Sequence, residues 1–181
     1  PALFKRWPTA LALSKADRAD VEEMVKSTGF FRNKAKAIQE ACKVLVAEFD
    51  GEVPRTMEAI LTLPGVARKT ANVVLGVGYG INAGMVVDTH VGRVARKLGL
   101  TAEKDPVKVE ADLCTLFAKR NWVDTSHRLL LHGRYLCLAK GPHCDRCPVN
   151  ELCGEAAVPP LGSWTARARE EAERVAARGE A

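Results

Sequence analysis

Aromatic residues make up only 6% of the 181 positions, and no long apolar run is present. The longest stretch without a charge, residues 70–87, is interrupted by Asn72, Asn82 and four glycines. A bilayer span needs about 20 mostly apolar residues, so no membrane partner is expected. The opening PALFKRWPTALALSKADRAD sets Lys5, Arg6 and Pro8 where a secretory leader carries its apolar core, so a cytoplasmic, intracellular location is expected. Internal repeats and low-complexity tracts are missing too. The alternation of apolar and polar residues that marks a half-buried strand is scarce.

What remains is a globular composition, 47% apolar and 27% charged. Lys and Arg outnumber Asp and Glu by 27 to 22, a net charge of +5 that favours an anionic partner such as nucleic acid. Apolar residues recur at helical spacing in Ala37, Ile38, Ala41, Val44 and Leu45, and again in Val109, Leu113, Leu116 and Phe117. Shorter stripes occur at Val21, Met24 and Val25, at Met57, Ile60 and Leu61, and at Val91, Val94 and Leu98. Turns fall at Gly29, Asp50-Gly51, Pro64-Gly65 and Gly99. The pattern predicts an all-α chain of about seven helices of one to four turns. Only residues 84–91, GMVVDTHV, have strand character, and Asp88-Thr89 reads there as a helix start. Beyond Cys153, Pro159-Pro160 breaks the chain and residues 164–181 read as an exposed, charge-laced helix. From residue 154 onward there are four Arg and five Glu, a balance of −1, so this tail is not expected to be the nucleic-acid surface.

Four of the six cysteines, Cys137, Cys144, Cys147 and Cys153, are separated by six, two and five residues. A disulfide framework is disfavoured in a reducing compartment, which leaves a metal centre. A structural zinc site usually joins two Cys pairs of two-residue spacing, and only Cys144 and Cys147 have that spacing. Uneven gaps suit an iron-sulfur cluster better, because each thiolate approaches its own corner, although zinc stays open on spacing alone. Cys42 and Cys114 read as core thiols on apolar helix faces.

Residues 54–75, PRTMEAILTLPGVARKTANVVL, read as helix, tight turn, helix. The amides after Pro64-Gly65 can point at an anion such as a phosphate, though an ordinary helix connection has the same residues. Lys69 falls in the first turn of the second helix, where the macrodipole disfavours a cation, and Arg68 adds a second one. A positive neighbour, the helix start and partial burial would each push a lysine toward its nucleophilic free amine, whereas a solvated lysine would be inert. Asp88 is a natural N-cap. A carboxylate fixed there can also stabilise a developing cation or accept a proton.

LPGVARKTANVVLG, then VDTHVGRV, then LHGRYLC with the cysteine spacing after it, resemble the endonuclease III family, bifunctional DNA glycosylases and abasic-site lyases of the helix-hairpin-helix superfamily. The likeness runs from about Phe4 to Cys153. It implies an all-α fold in which a six-helix lobe and a cluster lobe flank a DNA cleft. It also implies one four-iron four-sulfur cluster on Cys137, Cys144, Cys147 and Cys153. Lys69 would attack the sugar and Asp88 would assist. Leu63, Pro64, Gly65, Val66, Ala67 and Arg68 would grip phosphate, Phe30 would wedge into the duplex, and His90 would lie near the phosphates around the flipped nucleotide. Lys140, His143 and Arg146 of the cysteine loop, with Arg93 and Arg96, would neutralise further phosphates.

The expected organisation is residues 1–83 as most of the six-helix lobe, with the hairpin motif at 54–76, residues 84–154 as the cluster lobe, and residues 155–181 as an extension. The family's helical segment before the equivalent of Phe4 carries a glutamine that fills the gap left by the flipped base. It has no counterpart in this sequence, so the lobe is expected without its N-terminal helix or helices. Ala67 stands where the family often has a second glycine, which requires a negative φ. Gly141 stands where relatives have a cation. The activity implied is removal of oxidised pyrimidines from damaged double-stranded DNA, followed by strand cleavage, by a monomer. A non-catalytic or monofunctional helix-hairpin-helix binder is the alternative, including the adenine-excising branch, which generally lacks a lysine at position 69.

Overall fold

The computed structural model describes residues 2–156 and 164–177. Ten α-helices and no strand occur among them, in two compact units, Pro1–Ala83 and Gly84–Ala181. The helices outnumber the expected seven in part because α1 (Ala2–Arg6) and α2 (Ala10–Ser14) are one-turn pieces, too short to display a repeating apolar stripe; α5 (Met57–Ile60) is the short helix expected from Met57, Ile60 and Leu61.

The first unit adds α3 (Arg18–Val25), α4 (Phe31–Glu48) and α6 (Arg68–Val73), the last running on into a π-turn over Val74–Gly78. Its helix starts obey local rules. Thr9, Asp17 and Thr56 cap α2, α3 and α5 by accepting backbone N–H bonds with their side-chain oxygens. Leu13, Val21, Val25, Ala35 and Cys42 form one apolar cluster, and Leu45, Ile60, Leu63, Ala71 and Leu75 a second beneath the hairpin. Cys42 is thus a core thiol, and burial pushes it above its ordinary pKa. Gln39 of α4 is buried and donates to the carbonyls of Leu13 (3.3 Å) and Ala16 (2.7 Å) while accepting from Arg18. The connection between α2 and α3 is thereby bonded to the longest helix, at no cost in unpaired amide.

The second unit opens with an extended segment whose Met85 and Val87 are buried, the Val86 N–H donating to Ser126 Oγ at 2.9 Å. It pairs with a side chain instead of another strand, and α7 (Thr89–Lys97) follows directly. Then come α8 (Pro106–Leu116), capped by Asp105 with Pro106 at its start, and α9 (Trp122–Tyr135). Met85, Val91, Val94, Val109, Leu113 and Leu129 fill the core, with Cys114 against its edge. Gly133 lets α7 and α9 approach closely: a Cβ there would lie 2.9 Å from Val94 Cγ2 and 3.0 Å from His90 Cβ.

After α9 the chain makes only single 3₁₀ turns, Cys144–Arg146 and Asn150–Leu152. The tail forms α10 (Trp164–Ala177). It is not exposed on every side, because Glu171 is only 8% accessible and lies 3.7 Å from Arg146. Pro159-Pro160 and residues 178–181 lie outside the described residues.

Candidate active site and cysteine hollow

The hairpin is set by packing beneath it. Leu63 is buried and its carbonyl accepts the Val66 N–H at 3.1 Å, closing the turn. Gly65 has φ +77°, and a Cβ there would meet Ala37 Cβ of α4 at 2.6 Å. Both the backbone angle and the close approach demand glycine. Ala67 precedes α6 with φ −94° and ψ 168°, extended backbone open to any residue, so no second glycine is needed. Pro64, Gly65 and Ala67 are exposed, Val66 and Arg68 half-buried.

Lys69 is the second residue of α6 and is exposed. The partial burial expected of it is not supplied by the protein alone. Phe30 is 87% exposed, and its φ of +48° follows Gly29 at +68°. Two successive residues with positive φ are rare outside glycine and present the aromatic ring at a loop tip ahead of α4.

Asp88 caps α7. Its Oδ1 accepts the N–H groups of His90 (2.9 Å) and Val91 (2.8 Å), and among the described residues its Oδ2 carries no hydrogen bond. Capping therefore occupies one carboxylate oxygen only. The His90 ring Nδ1 lies 3.3 Å from the Gly133 carbonyl.

The four cysteines after α9 border one small hollow, with His132, Pro142, His143 and Asn150. No three His, Cys, Asp or Glu side chains among the described residues converge as ligands on a single ion. A zinc site needs four donors within about 2.3 Å of one point, an arrangement the described side chains do not form.

Burial pushes the Cys137 and Cys147 thiols upward in pKa, and for Cys137 the nearby Lys97 and Arg93 pull partly back. The rim is tied down by side-chain and backbone contacts. Asn150 Nδ2 donates to the Cys144 carbonyl at 3.3 Å, the His143 N–H donates to the Leu136 carbonyl at 2.9 Å, and Cys153 Sγ lies 3.5 Å from the Lys97 carbonyl.

Several cations expected at phosphates are engaged within the protein. Arg93 donates to the carbonyls of Gly133 (2.6 Å) and Cys137 (2.8 Å), satisfying orphan acceptors at the end of α9. Arg96 donates to the Glu103 carbonyl at 3.4 Å, and Arg146 faces Glu171 of α10. Lys140 is exposed beside Gly141, whose φ is +63°. His143 is half-buried at the hollow.

His132, Gly133 and Asn150 carry structural weight that sequence reading passed over. A glycine inside a helix costs about 1 kcal/mol and signals a close contact, so Gly133 was detectable. His132 and Asn150 carry no such signal.

Residues 1–119 match the family described as the HhH-GPD superfamily base excision DNA repair proteins. An endonuclease III of Synechocystis sp. is 54% identical over 156 residues, covering 86% of this chain and 71% of the relative. The endonuclease III of Bacillus subtilis is 46% identical over 84% of this chain and 70% of its own length. A solved structure of a trapped endonuclease III–DNA covalent intermediate superposes with a TM-score of 0.81 at 39% identity, covering 85% of this chain and 72% of that one. With the all-helical architecture and the glycine-dependent hairpin agreeing, the chain belongs to the HhH-GPD superfamily of base excision DNA repair proteins.

Proposed function

We propose that this protein is a DNA glycosylase and abasic-site lyase that removes oxidised pyrimidines from duplex DNA in base excision repair. The observation that carries the reading is Lys69, an exposed primary amine one residue into α6, directly after a turn held by Gly65 and the buried Leu63.

A base must leave the stack before its glycosidic bond can be attacked, at a cost of a few kcal/mol. Phe30, exposed on its left-handed turn, is suited to part the base steps. The Leu63, Pro64, Gly65, Val66, Ala67 and Arg68 turn grips the backbone without reading sequence. Lys140 and His143 add charge or hydrogen bonds from the cysteine loop, and His90 contributes near the flipped nucleotide. Arg93, Arg96 and Arg146 are already bonded within the protein and act chiefly by holding that surface in shape.

The Lys69 amine attacks C1′ in its uncharged form, the C–N bond to the base breaks, and the base leaves with the bonding pair. Loss of the lysine proton and ring opening give an imine. Removal of a 2′ proton then expels the 3′ phosphate. Because Lys69 is exposed in the free protein, the dehydration that favours a neutral amine comes with the bound DNA. Asp88 supports the step with its unbonded Oδ2, steadying positive charge that develops on the sugar and taking up the lysine proton.

Cys137, Cys144, Cys147 and Cys153 would hold a four-iron four-sulfur cluster: four thiols bordering one hollow are the donor set such a cluster takes. When bound, the cluster ties the loop that carries Lys140 and supplies no step of the reaction. The test is a duplex with one thymine glycol or abasic site. Cleavage with covalent trapping by borohydride is expected, and Lys69→Ala should lose both. A gel shift without cleavage would leave a DNA-binding protein instead.

A further inference from the structure

Within the cysteine hollow one side chain is placed to act on the cluster without ligating it. His132 lies on α9, and its Nε2 is 3.8 Å from Cys147 Sγ. Cys147 is the most buried of the four cysteines bordering the hollow. A thiolate bound to iron can only accept hydrogen bonds; the Val149 backbone supplies one to Cys147, and a buried sulfur has little water to supply more. We infer that His132 is a positioning residue for the cluster, donating a hydrogen bond from Nε2 to the Cys147 thiolate. This rests on the four-iron four-sulfur reading above.

Three features of the helix favour this role over chance proximity. The His132 carbonyl accepts the N–H groups of Leu136 (3.0 Å) and Cys137 (2.8 Å), so the backbone of the same residue fixes the turn that delivers the first cysteine. Its neighbour Gly133 is pressed against His90 and Val94, which locks α9 to α7 and denies the imidazole freedom to swing with the loop. Among the described residues no third metal-binding side chain joins His132 and Cys147, which argues against an ion of their own between them. Hydrogen bonds to cluster sulfurs withdraw electron density and stabilise the more negatively charged, reduced state. The bond therefore raises the reduction potential, and by fixing the Cys147 side chain in place it slows displacement of the cluster by a chelator.

The test uses the iron-loaded full chain as wild type, His132→Leu and His132→Gln, the last keeping an N–H near the Nε2 position. Iron content, the reduction potential of the DNA-bound protein and the rate at which a chelator bleaches the absorbance near 400 nm are measured together. His132→Leu is expected to have a more negative potential and to bleach about tenfold faster. His132→Gln is expected to stay close to wild type in both. A Leu variant indistinguishable from wild type overturns the inference, as does a Gln variant displaced as far as the Leu one. If His132→Leu fails to retain iron, His132→Gln decides alone: a wild-type potential supports the bond and a shifted one refutes it. A wild-type protein without iron removes the cluster reading and this inference with it, a result distinct from an iron-loaded protein insensitive to His132.

Discussion

The hairpin and the cysteine loop are both short irregular segments after a helix, yet they are held in opposite ways. The hairpin is moulded from below: Leu63, Ala71 and Leu75 are buried, and Gly65 presses on Ala37. Lys69, the proposed nucleophile, stands exposed beside it. Within the cysteine loop, residues 137–153, only Cys147 and Asn150 are buried. Single 3₁₀ turns are tied by Arg93 and Asn150 around a hollow. A packed segment keeps its shape without a ligand, and a segment wrapped around a hollow needs one to complete it.

Substitutions can break this contrast. The largest expected effect is on chemistry: Lys69→Ala abolishes cleavage and borohydride trapping while the melting curve stays near wild type, because the side chain is exposed. Next, Asp88→Asn should cut turnover by about 100-fold or more. Asn caps a helix as well as Asp does, so stability should change by less than about 1 kcal/mol. Equal losses of rate and stability would reduce Asp88 to a cap.

Removing iron with a chelator, or substituting Cys147→Ser, should raise hydrogen exchange across residues 137–153 and leave the hairpin amides unchanged. Loosening of both would contradict the division between packed and ligand-completed segments. Gly65→Ala is expected to cost about 3 kcal/mol from the positive φ and the clash with Ala37, read by denaturant unfolding. Ala67→Gly, two residues on, should shift stability by less than about 1 kcal/mol because φ is already negative there. That pair sharpens the claim that one hairpin glycine, not two, is a steric requirement.

Helical periodicity was legible wherever a helix was long enough to repeat its stripe, as in α4 and α8. It failed for α1 and α2, where one turn leaves nothing to repeat. Asp88 was legible as a helix start because N-capping is local, and its Oδ1 bonds bear that out. Arg93 and Arg146 read as free cations for phosphate. One holds the end of α9 and the other faces Glu171, pairings across 40 or more and 25 residues that no window of sequence contains.

The sequence by itself determined the helical class, the Asp88 cap, the turn at Pro64-Gly65 and the chemical types available: one lysine after a turn, one capping aspartate, four spaced thiols. These depend on neighbours within a few residues, where backbone sterics and helix period act. Only the tertiary structure decided that Lys69 is exposed, that Gly133 is a contact point, that the cysteines border a common hollow, and that His132 reaches Cys147. Exposure and through-space distance follow from how helices pack, and packing is set by residues far apart in the chain.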